Sequence, residues 1–224
     1  MAPRATLLVA LLLLLPGGDA GEAGDAGGGA CNLTQFSTQL DGLLSTYDRE
    51  WAPAEPALVE LTLEVHHATV SESTGTVRLL ADLHLSWEEP RLRWNASEGG
   101  ACGVALVSAE RLWRPDVGVL SAARAADAGD AALRARLSAA GRVAWLQRLD
   151  LEAPLSLDFT DWPRDRHRVI FKFGSRTHFV EEIELSLKDN EAGTVFESGS
   201  WELLAVEGRA AKLVRAGATT RVAE

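Results

Sequence analysis

The chain has 224 residues, 24% of them charged, and a formal net charge of −10 at pH 7. An acidic balance of this size argues against nucleic acid or anionic lipid as a partner and favours solubility or, mildly, cationic partners. Five scattered histidines, and the lack of any phosphate loop, dinucleotide fingerprint or Gly-x-Ser-x-Gly, leave catalysis, cofactors and bound metal without support.

The first residues read as a secretory leader. Arg4 supplies the positive start, Thr6 to Leu15 the apolar stretch, and Gly18-Asp19-Ala20 a small-residue cleavage site. That apolar stretch is too short to cross a hydrocarbon core of roughly 30 Å. Residues 1–20 are therefore expected to be a signal peptide, 21–30 a flexible Gly/Ala lead-in, and 31–224 one domain of a secreted protein with no membrane span. In an oxidising compartment Cys31 and Cys102 are expected to pair. Asn32-Leu33-Thr34 and Asn95-Ala96-Ser97 are N-glycosylation sequons, which places Asn32 and Asn95 on the surface.

Asn32 or Thr34 can cap a helix with Phe36, Leu40, Leu43 and Leu44 on one face, ending near Tyr47. Pro53 and Pro56 prevent its continuation. From Leu58 onward the period is two. Leu61, Leu63 and Val65 alternate with polar residues, Ser73-Thr74-Gly75 turns the chain, and Leu83, Leu85 and Trp87 share a face. Further strands are expected at 104–107, 117–120, 142–149, 155–159, 167–173, 183–187, 201–206 and 211–214. The Ala/Arg-rich stretch 122–136 reads as a long loop carrying at most one helical turn. Short strands between turns predict an all-β, immunoglobulin-like sandwich of ten strands with an N-terminal α-helix, and the tryptophans are expected to pack its core.

Leu155 to Ser175 is the most telling stretch. Leu155, Leu157 and Phe159 alternate into the turn Asp161-Trp162-Pro163-Arg164-Asp165, and Val169, Phe171 and Phe173 alternate out of it to Gly174-Ser175. An aromatic-Pro bond such as Trp162-Pro163 is a good candidate for the cis form. The segment resembles the signature loop of the Cys-loop, or pentameric ligand-gated, receptor family, in which a cysteine stands on each side of an aromatic-Pro-x-Asp turn. Here those positions hold Leu155 and Val169. The resemblance runs on through Leu85-Ser86-Trp87 with Arg91-Leu92-Arg93-Trp94-Asn95, Leu112-Trp113-Arg114-Pro115-Asp116 and Gly199-Ser200-Trp201-Glu202-Leu203, in the family's order. It also gives Cys31 and Cys102 a reason to pair, because the family's N-terminal helix lies beside the loop between strands two and three.

The resemblance implies a ligand cleft between subunits. Family members that bind amines line it with aromatic faces, which attract a quaternary ammonium. In this sequence the tyrosine position after Trp-x-Pro-Asp is Leu120, the tryptophan position after Gly-Ser is Arg176, and the complementary tryptophan position is Asp82. The segment after Trp201 carries neither the vicinal cysteines nor the tyrosines of the capping loop. A cation at Arg176 repels an amine by several kcal/mol in a partly desolvated cleft. The candidate ligand residues are therefore Arg176, His178, Asp82, Leu120 and Trp145, suited to a carboxylate or other anion. An Arg176–Asp82 ion pair across an interface is the structural alternative. The expected protein is non-enzymatic and secreted, similar to the soluble acetylcholine-binding proteins, and a homopentamer. Its rivals are a partner that modulates the assembly of receptor subunits, and a truncated receptor product.

Overall fold

The computed structural model describes residues 31–96, 102–127, 133–156, 160, 166–179, 181–188, 197–198, 201–202, 206–215 and 218–223. Helix α1 (Leu33–Thr46) is the first element among the described residues, capped by Asn32, whose side chain accepts from the Gln35 amide at 3.2 Å. It ends at Tyr47, in extended geometry. Phe36 and Leu44 are its buried residues, and the Phe36 ring lies 5.3 Å from that of Trp94. A disulfide joins Cys31, just ahead of the helix, to Cys102, with Cα atoms 5.0 Å apart and a sequence separation of 71. In the chain-entropy picture a loop of that length makes the cross-link worth about 4 kcal/mol.

Strands β1 (Ala57–Ser71) and β2 (Thr76–Glu88) form a long antiparallel hairpin. Gly75 turns it at φ +60°, in the left-handed region that side chains disfavour. A register shift between Val65 and His67 leaves His66 as the extra residue of a bulge. Then follow β3 (Val104–Ser108), β4 (Val117–Val119), β5 (Arg124–Asp127), β6 (Arg134–Ser138), β7 (Arg142–Pro154), β8 (Phe173–Ser175), β9 (Ile183–Leu187), β10 (Glu197–Ser198), β11 (Trp201–Glu202), β12 (Ala210–Arg215) and β13 (Ala218–Ala223).

The large sheet runs β3-β6-β7-β2-β1-β9, with β5 also on β7, and only β9 joins in parallel, along β1. The smaller sheet runs β12-β13-β8-β4, and β10 and β11 pair with each other. Along β2 the inward positions Val77, Leu79, Ala81, Leu83, Leu85 and Trp87 are all buried. Burying a leucine such as Leu83 contributes roughly 2 kcal/mol. Trp87 and Trp113 meet edge to face at 5.8 Å, and Trp94 and Trp145 are also buried. The result is an all-β, immunoglobulin-like sandwich with one N-terminal helix.

Two stretches depart from the sequence expectation. Residues 122–136, expected as a long loop, hold two strands among the described residues. Arg124–Asp127 pairs with the far end of β7, and Arg134–Ser138 lies between β3 and the near end of β7. Ala135 and Leu137 are buried on the inner face there, so pairing and burial override the helical preference of alanine and arginine. These two strands, with the two-residue pieces β10 and β11, bring the described strand segments to thirteen. Within the expected strand 167–173 only Phe173 pairs in a ladder. The Ser121 hydroxyl stands where a partner strand would be, accepting from the Lys172 amide at 2.8 Å and donating to the Ile170 carbonyl at 3.2 Å. Phe171 and Phe173 still point into the core. The turn residues Trp162, Pro163 and Asp165 lie outside the described residues; among those described, the cis proline bond is Glu55-Pro56.

Candidate functional site

Strands β4 and β8 bring together two segments distant in sequence. Val117 pairs with Ser175, Gly118 with Gly174 and Val119 with Phe173, so Asp116 arrives beside the end of β8. Asp116 accepts from the Ser175 hydroxyl at 2.6 Å, the Thr177 amide at 3.0 Å and the His178 ring Nδ1 at 2.9 Å. Ser175 Oγ in turn accepts from the His178 amide at 2.7 Å and the Thr177 amide at 3.2 Å. Burial on its own would raise the Asp116 carboxyl, but the hydrogen bonds from Ser175, Thr177 and His178 outweigh it and hold the group down at about 2. The aspartate is an ionised peg that fixes the turn after β8.

That turn carries Arg176. Its Nη2 donates to the Val119 carbonyl at 3.0 Å, and its Nε passes 4.0 Å from where a side chain on Gly118 would begin. Arg176 is exposed, and no carboxylate among the described residues bonds it. Leu120 follows directly, half-buried, its amide donating to the Lys172 carbonyl at 2.7 Å. Arg176, His178 and Leu120 therefore share one corner of the small sheet. This corner presents a guanidinium and a half-buried imidazole, with the balancing aspartate behind them.

The approach to β4 is locked from the other side. Tyr47 Oη accepts from the Trp113 amide at 2.9 Å and donates to Glu89 Oε2 at 2.8 Å. Glu89 is fully buried, and Arg91 pairs with both its oxygens at 2.7 Å. Burial, assisted by the adjacent Glu89 carboxylate, pushes the Tyr47 phenol well above its ordinary value. Tyr47 thus stays protonated and ties the end of α1 to the Trp113–Asp116 segment.

Asp82 and Trp145 stand elsewhere, on the large sheet. The β2–β7 register places Asp82 opposite Arg148, which donates to both carboxylate oxygens at 2.8 and 2.9 Å. The bulged His66 reaches Asp82 Oδ2 at 2.8 Å. The Arg148 bonds lower the Asp82 carboxyl most, burial opposes them, His66 adds to them, and the balance again lies at about 2. Asp82 is thus held within its own chain. Trp145 is a buried residue of β7, with the Arg114 guanidinium 5.4 Å from its ring centroid. The residues that hold these groups, Asp116, Ser175, Arg148 and Tyr47, are not among the candidates that the sequence singles out. Asp116 does stand in the Trp-Arg-Pro-Asp string, the one sequence signal that pointed towards it.

A helix-capped double sheet whose corner joins a Trp-x-Pro-Asp strand to a Gly-Ser turn defines a receptor-type ligand-binding domain. The model of the neurotransmitter-gated ion-channel ligand binding domain matches residues 37–214, and the chain belongs to that family. The chain is 26% identical over 220 residues to the human neuronal acetylcholine receptor subunit alpha-5, an alignment covering 92% of this chain and 47% of that protein. Against the rat subunit beta-3 it is 30% identical over 128 residues, 56% of this chain and 28% of the relative. Against the human subunit alpha-3 it is 24% identical over 215 residues, 93% and 40%. The chain thus spans about half, or less, of the length of these relatives. No helix among the described residues is long and apolar enough to cross a membrane.

Proposed function

We propose that this chain is an extracellular, non-enzymatic ligand-binding-domain homologue that assembles as a ring of five and binds a small anion, of the carboxylate class, at its subunit interfaces. The observation that carries this reading is the placement of Arg176. It occupies the family's tryptophan position, is exposed at the β4–β8 corner, and has no carboxylate partner among the described residues. His178 beside it is anchored through Nδ1, and its other ring nitrogen has no hydrogen-bond partner among the described residues. Asp82 is already satisfied by Arg148 and His66, which weighs against a structural Arg176–Asp82 pair between subunits. The Gly-Ser turn and the Trp-x-Pro-Asp strand are kept while the amine-binding aromatics are replaced.

Light scattering of the protein recovered from the culture medium tests the assembly. A stable pentamer is expected. A monomer that forms mixed rings only when co-expressed with receptor subunits favours a second reading, in which the chain acts by joining those subunits. One observation favours that alternative: the relatives are named as subunits of neuronal receptors.

A further inference from the structure

The end of the domain that holds α1 collects three features that the ligand reading does not use. Asn32 begins an Asn-Leu-Thr sequon and follows the disulfide-bonded Cys31; Asn95 begins an Asn-Ala-Ser sequon and follows Trp94. Trp94 belongs to the same assembly. Its indole donates to the Cys102 carbonyl at 2.6 Å, and its ring packs on Phe36 of α1. Each sequon therefore lies one residue from a group that clamps the helix to the sandwich. Both asparagines are exposed.

We propose that Asn32 and Asn95 both carry N-linked oligosaccharides, which together crown the α1 end of the domain. This inference rests on the extracellular reading above. In the transfer, Asn Nδ2 forms a bond to the sugar C1 of a lipid-linked oligosaccharide diphosphate. The C1–oxygen bond to the diphosphate breaks, and Nδ2 loses one proton to solvent. Oδ1 takes no part, so at Asn32 the oxygen that caps α1 through the Gln35 amide keeps its bond after modification. Thr34, whose hydroxyl the sequon requires, accepts from the Ser37 and Thr38 hydroxyls through its backbone carbonyl, and its own hydroxyl has no hydrogen-bond partner among the described residues. The sugar is therefore compatible with the cap that positions it. A hydrated oligosaccharide at each position keeps other proteins off this end.

The test is a glycopeptide map of the full chain recovered from culture medium, with enzymatic deglycosylation in heavy-oxygen water, which converts each modified Asn to a labelled Asp. Label is expected at both Asn32 and Asn95 in the wild type. Thr34→Ala should remove it at Asn32 alone, and Ser97→Ala at Asn95 alone. Thr34→Ala keeps Asn32 itself, and with it the Oδ1 cap of α1. A secreted chain with its leader removed and either asparagine unlabelled overturns the crown while leaving the extracellular reading intact. A chain retained in the cytosol with its leader uncleaved overturns both.

Discussion

Two aspartates in this domain are held near the same low pKa, about 2, by opposite means. Asp82, on the large sheet, is neutralised by the cationic Arg148 and by His66 within its own chain. Asp116, at the corner of the small sheet, is satisfied chiefly by the Ser175 hydroxyl and the Thr177 amide, with His178 at the edge. The first arrangement consumes its positive charge. The second fixes a turn with neutral donors and leaves Arg176 beside it uncommitted to any described carboxylate. Equal acidity therefore marks a structural clamp in one place and, in the other, a support for the surface proposed to bind an anion.

Asp82→Asn should have the largest effect. The carboxylate is only 7% exposed, so the substitution leaves Arg148 and His66 facing a position that no longer balances them. A loss of about 3 kcal/mol is expected in chemical denaturation. Because the Arg148 side chain is 44% exposed, part of that deficit should shrink in 1 M salt. Asp116→Asn should cost less, about 2 kcal/mol, because the carboxylate there loses hydrogen bonds chiefly from neutral donors rather than a bidentate ion pair. Its deficit should be insensitive to salt, since its main donors are uncharged. An equal salt response of the two variants would break the comparison.

Acid sharpens the same point. Both carboxyls are depressed in the folded state, so their stabilisation is present above the unfolded carboxyl value near pH 4 and is lost as pH falls towards about 2. Stability measured between pH 5 and pH 2 should fall less steeply in either Asn variant than in the wild type. The smallest effect is expected for Arg176→Ala. Its side chain is exposed and gives one hydrogen bond, to the Val119 carbonyl, so stability should change by no more than about 0.5 kcal/mol.

The sequence made local structure legible and long-range partners illegible, for a physical reason. Asn32 with Phe36, Leu40 and Leu44 marks a capped amphipathic helix, and Leu83, Leu85 and Trp87 mark a half-buried strand, because periodicity reports which face is buried. Periodicity does not report register. Arg148 meets Asp82 across 66 residues only because β2 and β7 pair in one particular register, and a bulge turns His66 towards the same carboxylate. Asp116 likewise reaches His178 across 62 residues through three rungs between β4 and β8. Residues 122–136 read as a loop because their alanines and arginines carry no strand signal, while β7 offers pairing positions that composition cannot reveal. Arg176 and His178 were legible only as departures from a family pattern, and the structure supplied the aspartate that anchors them.

Whether the β4–β8 corner takes an anion rather than an amine is tested most directly by a thermal-shift titration of the purified protein. A small carboxylate such as acetate or succinate should raise the unfolding midpoint of the wild type but not of Arg176→Ala, and choline should raise neither. A choline-dependent rise in the wild type, or a carboxylate response that survives in Arg176→Ala, would contradict the account.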